Sequence, residues 1–220
     1  MHRPALVAFV FALVMATTAT ATAQTKDPLP RLVLDAQGVF GGLPTSDGWV
    51  PTVPAETPIP GHGLGVGGGV HVNVFRLGVA TFGIGGSAIF VKKANAPFKT
   101  TAGVPTTPSV TTEVTSLNPQ ISINFGRRLG WSYLSGGYST AKVKSSASAF
   151  GTTVPAAAAP ELWNPGFNYG GGARWFMKRH LAASFDVRFV QLSSREATAE
   201  NPVFALRSKM VNFLVGISIQ

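Results

Sequence analysis

Apolar residues recur at every second position along most of this chain, the spacing of strands with one face turned to an apolar medium. The first stretch, 32–40, sets Leu32, Leu34, Ala36, Gly38 and Phe40 against Val33, Asp35, Gln37 and Val39. In 64–74, Leu64, Val66, Val70, Val72 and Val74 alternate with Gly67, Gly69, His71 and Asn73. A third puts Ala80, Phe82, Ile84, Ala88 and Phe90 opposite Thr81, Gly83, Gly85 and Ser87. A fourth carries Leu117, Ile121, Ile123 and Phe125 against Gln120, Ser122 and Asn124. The fifth, 130–143, leaves its facing open: either Trp131 and Tyr133 or Leu134 and Tyr138 point outward, and one residue in the preceding turn swaps them. The sixth, 167–176, has Tyr169, Ala173 and Trp175 on one face and Gly170, Gly172 and Arg174 on the other. The seventh alternates Leu181, Ala183, Phe185, Val187 and Phe189 with Ser184, Asp186 and Arg188. The eighth alternates Val211, Phe213, Val215, Ile217 and Ile219 with Asn212, Gly216, Ser218 and Gln220. The stretches approach the roughly 9–11 residues with which a tilted strand crosses a bilayer.

The links between them alternate in length. Those after the second, fourth and sixth strands are short: Phe75-Arg76-Leu77, Arg127-Arg128-Leu129 and Met177-Lys178-Arg179-His180. Those after the first, third, fifth and seventh are long: 41–61, with five prolines, 92–112, 144–164 and 193–205. An up-and-down barrel with tight turns at one rim and long loops at the other requires this order, whereas a soluble sandwich does not. The expected fold is therefore all-β: an eight-stranded antiparallel up-and-down transmembrane β-barrel.

Polarity points the same way. The outward sets are Leu, Val, Ile, Phe and Ala, while Asp35, Gln37, His71, Asn73, Gln120, Asn124, Arg174, Asp186, Arg188 and Asn212 share the opposite faces. A soluble barrel shows the reverse. Glycines at 67, 69, 83, 85, 170 and 172 fall on the inward face, where a barrel of this strand number has little room. Phe40, Phe90, Phe167 and Tyr169 near one rim, with Phe125, Trp131 and Trp175 near the other, are expected to form interfacial girdles.

Composition narrows the class. The 220 residues suit one domain, and 45% hydrophobic against 12% charged residues without a long apolar run disfavours helical spans. No cysteine is present, which excludes a disulfide scaffold and an anchor through a lipidated cysteine. His2 and Arg3, an apolar run over 5–15 and Ala21-Thr22-Ala23 have the layout of a secretory signal peptide. The expected organisation is a cleaved leader over 1–23, a periplasmic extension over 24–30 and a barrel over 31–220.

The formal charge of +9 raises the question of nucleic acid, but its placement argues against that partner. Arg76, Arg127, Arg128, Lys178 and Arg179 all fall at the short links, where each cation gains about 1 kcal/mol from inner-leaflet phosphates. Outer-membrane lipids are the expected partners there. Inside the wall, Asp35 and Asp186 are expected to pair with Arg174 and Arg188, with His71 nearby. Such a cluster plugs the lumen or gates a narrow pore. For chemistry, His62, His71 and His180 have no serine and acid at convincing positions, and three separated histidines without cysteine give no metal spacing. Gly65-Val66-Gly67-Gly68-Gly69 lacks the helix and lysine of a phosphate loop. No cofactor, metal or catalytic residue is expected.

Residues 168–176, reading Asn-Tyr-Gly-Gly-Gly-Ala-Arg-Trp-Phe, together with 181–192 and the closing strand, resemble the small eight-stranded outer-membrane barrel proteins of the OmpA-like and OmpX-like kind. The resemblance implies the barrel alone, with no peptidoglycan-binding domain, and implies the barrel-insertion machinery as a partner. It departs at the last position, where such proteins commonly carry an aromatic residue and this chain has Ile219-Gln220. The function expected is a non-enzymatic outer-membrane barrel serving envelope integrity or surface contact, with a surface ligand at the long loops. The alternatives are a narrow porin-like channel and a lipid-modifying enzyme.

Overall fold

The computed structural model describes residues 29–45, 48–49, 53–97, 99, 101, 103, 107–127, 129–149, 152–154, 162–196 and 205–220. The leader over 1–23, most of the extension over 24–30, Arg128 and parts of the four long loops lie outside the described residues. Every regular element among the described residues is a strand: β1 (Leu32–Gly42), β2 (His62–Leu77), β3 (Ala80–Asn95), β4 (Ser109–Arg127), β5 (Gly130–Ala149), β6 (Thr152–Val154), β7 (Trp163–Lys178), β8 (Leu181–Leu192) and β9 (Ser208–Ile219). All pair antiparallel with their neighbours, β4 pairs with β5, and β1 pairs with β9, so the sheet closes on itself. The wall holds eight strands, because the three-residue β6 pairs only with β5 in the third long link.

The alternation reads directly as facing. On β1, odd-numbered residues from Val33 to Gly41 are buried and even-numbered ones from Leu32 to Phe40 are exposed. The burial rule is inverted: Ile121 is 69% exposed and Arg174 only 2%. An apolar exterior around a polar interior suits hydrocarbon outside, where closure gives each ladder N–H and C=O a partner. The chain thus folds as a transmembrane β-barrel.

Three details differ from the sequence reading. The strands run further than the alternation marked, because β3, β4 and β5 continue beyond the apolar face to Asn95, Ser109 and Ala149. The turns are correspondingly tighter: Phe75, Arg76 and Leu77 belong to β2, leaving Gly78 and Val79 to turn, with Gly78 at a positive φ of 60°. Arg127 likewise ends β4 and Lys178 ends β7. The bulge between Asn73 and Phe75 absorbs one residue and leaves both Val74 and Phe75 exposed. The fifth strand takes one of its two facings, with Trp131 and Tyr133 inside and Leu134 and Tyr138 outside. Trp131 is therefore not part of an interfacial girdle. It stacks on Phe176 at 5.2 Å and packs with Leu29 and Val33 across the turn-side mouth.

Inside, the barrel is layered. The turn-side cluster of Leu29, Val33 and Trp131 lies below the polar side chains. Above them, Val39, Ile89, Val91, Val114, Val143 and Leu214 belong to an apolar cluster at the loop side. Trp49 belongs to that cluster, fully buried, and its Nε1 donates to Leu206 O at 2.5 Å. The preceding Gly48, at φ 83°, supplies the left-handed residue that turns the chain just before the indole.

A sheet closed in this way resists detergent unfolding at room temperature. Unboiled protein is expected to migrate differently from boiled protein on an SDS gel. Identical mobility of the two samples would exclude the closed wall.

Candidate functional site in the lumen

Asp35 on β1 is the centre of the polar layer. Arg174 on β7 grips its carboxylate from across the lumen, with Nη2 donating to Oδ2 at 2.5 Å and Nε to Oδ1 at 3.1 Å. This two-point fork fixes direction as well as charge. His71 on β2 places Nε2 3.0 Å from Oδ2, and Ser218 Oγ on β9 donates to Oδ1 at 2.5 Å. One carboxylate thereby ties together the two strands that neighbour it and a strand three places round the wall.

Asp186 holds a second group. Gln37 Nε2 donates to its Oδ2 at 2.5 Å and to Ser184 Oγ at 3.2 Å, and the Tyr133 hydroxyl donates to Oδ1. The Arg174 guanidinium lies over the Tyr133 ring, 4.6 Å from its centroid, and links the two groups. Gly172 faces Asp186 across the β7–β8 pair, and a Cβ there would run into that carboxylate. The glycine is what lets the side chain lie flat against the wall.

The third group centres on Arg188, whose Nη1 donates to Gln120 Oε1 and to Asn168 Oδ1, the latter at 2.9 Å. Asn168 also performs a backbone task. The β4–β5 ladder is interrupted, in unchanged register, between Leu117↔Thr140 and Ile121↔Gly136, where Pro119 brings no N–H. Asn168 Nδ2 reaches Tyr138 O at 2.5 Å and Pro119 O at 3.2 Å, so a side-chain amide stands in for the missing donor. In hydrocarbon an unmet carbonyl costs several kcal/mol, which explains an asparagine at this position.

The five expected lumen residues, Asp35, His71, Arg174, Asp186 and Arg188, are all buried on the inner face, at 8% exposure or less. Arg174 lies opposite Ser184, diagonal to Asp186, yet its fork is aimed at Asp35. The hydrogen bonds of Asp186 and Arg188 go to neutral side chains rather than to each other. Sequence reasoning placed Gln37 and Gln120 inside without assigning them partners, and it missed Tyr133, Ser218 and Asn168 as members of the network. Tyr133 was hidden by the open facing of its strand. The signal for Asn168 was Pro119, since a proline within a wall strand demands a substitute donor.

At the turn side, Arg76 Nε donates to Gly78 O at 3.0 Å, and Lys178 and Arg179 are exposed beside the β7–β8 turn. Arg127 sits at the end of β4, partly buried.

No protein-family model matches the chain, and no curated protein matches its sequence. Among solved structures, it is similar to neisserial surface protein A, NspA, with 9% identity over 86% of this chain and 97% of that one, at a TM-score of 0.45. It is similar to Ail, the attachment invasion locus protein of Yersinia pestis, with 12% identity over 86% and 95% of the two chains, at 0.45. For the outer membrane protein OprG from Pseudomonas aeruginosa the identity is 8% over 88% and 96%, at 0.48. At these identities and scores the fold rests on the strand pairing described above.

Arg174→Met leaves a buried carboxylate without its cation and is expected to cost about 3–5 kcal/mol in urea-monitored folding into lipid vesicles. Replacing both partners together, Asp35→Leu with Arg174→Met, should recover most of that loss. Equal losses in the single and double variants would show that the pair is not coupled. Asn168→Ala should cost about 1–3 kcal/mol by the same measurement.

Proposed function

We propose that this chain is an integral protein of a bacterial outer membrane whose barrel is closed to solutes and non-enzymatic, and whose long loops serve envelope integrity or surface contact. The observation that carries this reading is the filled lumen. Arg174, Asp186 and Arg188 are each exposed by 3% or less, and Arg174 and Arg188 each reach a partner three strands away, Asp35 and Gln120. Apolar clusters stop both mouths, one through Trp49 and the other through Leu29 and Trp131. A conducting pore needs mobile or hydrated charges along its axis, whereas here Asp35 and Arg174 are paired and Asp186 and Arg188 are hydrogen-bonded to neutral side chains.

The arrangement of groups also speaks against hydrolysis. Ser218, Asp35 and His71 are in contact, but the serine donates to the acid and not to the histidine. Without a base on its hydroxyl, and buried beneath both layers, Ser218 is no nucleophile. The outer-membrane location is supported by the apolar exterior, the short–long order of links and the N-terminal leader pattern.

Purified protein in planar bilayers should give no discrete conductance steps, and lipid A and phospholipid profiles by mass spectrometry should be unchanged by its presence. Stepwise conductance of the unmodified protein would instead establish the narrow conduit.

A further inference from the structure

Trp49 heads the fully buried side chains among the described residues, yet it is not part of the wall. It stands in the long link between β1 and β2, and its indole lies inside the loop-side end of the barrel. The lining there comes from six of the eight wall strands: Val39 of β1, Val91 of β3, Val114 of β4, Val143 of β5, Val190 of β8 and Leu214 of β9. On β2 the place is left to Gly67, where a Cβ would stand 3.2 Å from Val39 and 3.3 Å from Leu214. These aliphatic side chains stand on paired strands, so they form a cup whose shape is set by the ladders and not by the loops. Trp49 is the one aromatic member of the cluster among the described residues. Its Nε1–H, the only donor an indole has, is met by Leu206 O in the link between β8 and β9. That carbonyl follows directly on the Arg195–Ala205 bridge, whose two backbone hydrogen bonds of 2.8 and 2.9 Å pin the link.

We propose that this cup is a binding site for a small, uncharged planar aromatic molecule of indole size with one hydrogen-bond donor, and that Trp49 is its built-in occupant. The inference goes beyond the closed-barrel reading and leaves it in place, because the polar layer beneath the cup stays sealed and the ligand is held, not passed. Two features select this occupant. First, Trp49 already displays the chemistry of the site: a flat apolar ring against aliphatic walls, and one N–H on a carbonyl. A free aromatic with the same shape and donor satisfies the same contacts. Second, exchange asks nothing of the wall. The ring comes from the first long link and its acceptor from the fourth, so the ring leaves by a movement of links alone, with Gly48 at φ 83° as the turn just before it. The lining that remains is of the kind that takes up small aromatics, since apolar cavities of roughly 150 Å³ stay dry and bind them, and the mouths of β-barrels are common ligand sites. Trp49 therefore competes with the ligand. The apparent affinity is the intrinsic affinity of the cup scaled by the fraction of molecules in which the indole is out.

The test uses the full folded protein in detergent, labelled with 5-fluorotryptophan and read by fluorine NMR. The four tryptophans give four signals, and Trp49→Phe identifies that of Trp49. The probes are indole, naphthalene, which has the shape without the donor, and indole-3-acetate, which adds a charge. The expected result is saturable binding of indole that moves the Trp49 signal to the position of a solvent-exposed tryptophan and leaves the Trp131 signal where it was. Naphthalene and indole-3-acetate should each bind at least ten-fold more weakly. Trp49→Ala, whose cup has no competitor, should bind indole at least ten-fold more tightly than the unmodified protein. Adding Val143→Phe, which narrows the cup from the wall, should reverse that gain at least ten-fold. Heat-modified mobility of each variant verifies that the barrel has formed. A Trp49 signal that stays in place at indole concentrations saturating Trp49→Ala would show a permanently filled core and overturn the proposal. So would equal movement of all four signals, the mark of partition into the micelle, or equal binding of naphthalene. Stepwise conductance in planar bilayers bears on the closed barrel and not on this site, so the two failures are told apart.

Discussion

No backbone N–H or C=O may face hydrocarbon without a partner, and the rest of this structure follows from that constraint. It is why β1, at the start of the described chain, must find β9 at its end, and why eight Cα pairs from Leu34↔Ile219 to Gly41↔Asn212 close the seam. It is also why one proline in the wall has consequences on another strand. Pro119 removes a donor from the ladder, and Asn168 is aimed at the carbonyl left opposite it. The same Asn168 then offers its oxygen to Arg188, so the repair of the backbone is continuous with the lumen network. Wall and lumen are in this sense one hydrogen-bonded system.

Closure turns the usual arrangement of a protein inside out, but it does not make the interior uniformly polar. Single strands show the layering. On β1 the inward residues run Val33, Asp35, Gln37, Val39, and on β8 they run Ala182, Ser184, Asp186, Arg188, Val190, Leu192. Apolar side chains occupy the mouths and polar ones the middle, where Asp35, Gln37, Ser184, Asp186 and Arg188 each have a partner on another strand. The apolar mouths keep water from the ion pair and so strengthen it, since a buried pair gains from a lower dielectric once its geometry is satisfied.

Much of this was legible in the sequence because the strand period is two. Alternation separates the faces without reference to any neighbour, so the inward placement of Asp35, His71, Arg174, Asp186 and Arg188 followed from counting. Partners did not follow, because counting along one strand says nothing about distance across a lumen. Arg174 has Asp186 on the neighbouring strand, yet it reaches past to Asp35 on a strand not adjacent to its own. Trp131 and Tyr133 were undecidable for a related reason, since the fifth strand has aromatic residues on both faces and hydrophobicity cannot orient it. Strand ends were hidden where β3, β4 and β5 leave the apolar belt, for there the alternation becomes threonine, serine and lysine while the pairing continues. Trp49 lies in a loop, where no period exists to reveal that it folds back into the barrel.

The ion pair at the centre is not needed to fill space. Apolar residues of similar volume often serve a core as well or better, because both charges must be desolvated before they attract. What the pair and its neighbours supply is register. The faces of β1 and β9 that meet at the seam have interchangeable exteriors of Leu, Ile, Val and Phe, and those side chains alone would accept a shifted alignment. A slip by two residues would keep the apolar face outward but part Asp35 from Ser218 and Gln37 from its β8 partners. A slip by one would present Asp35 to lipid, and the corresponding error on β7 would present Arg174 there, at about 2–4 kcal/mol near the midplane. The apolar exterior specifies that a barrel forms. The polar layer inside specifies which one.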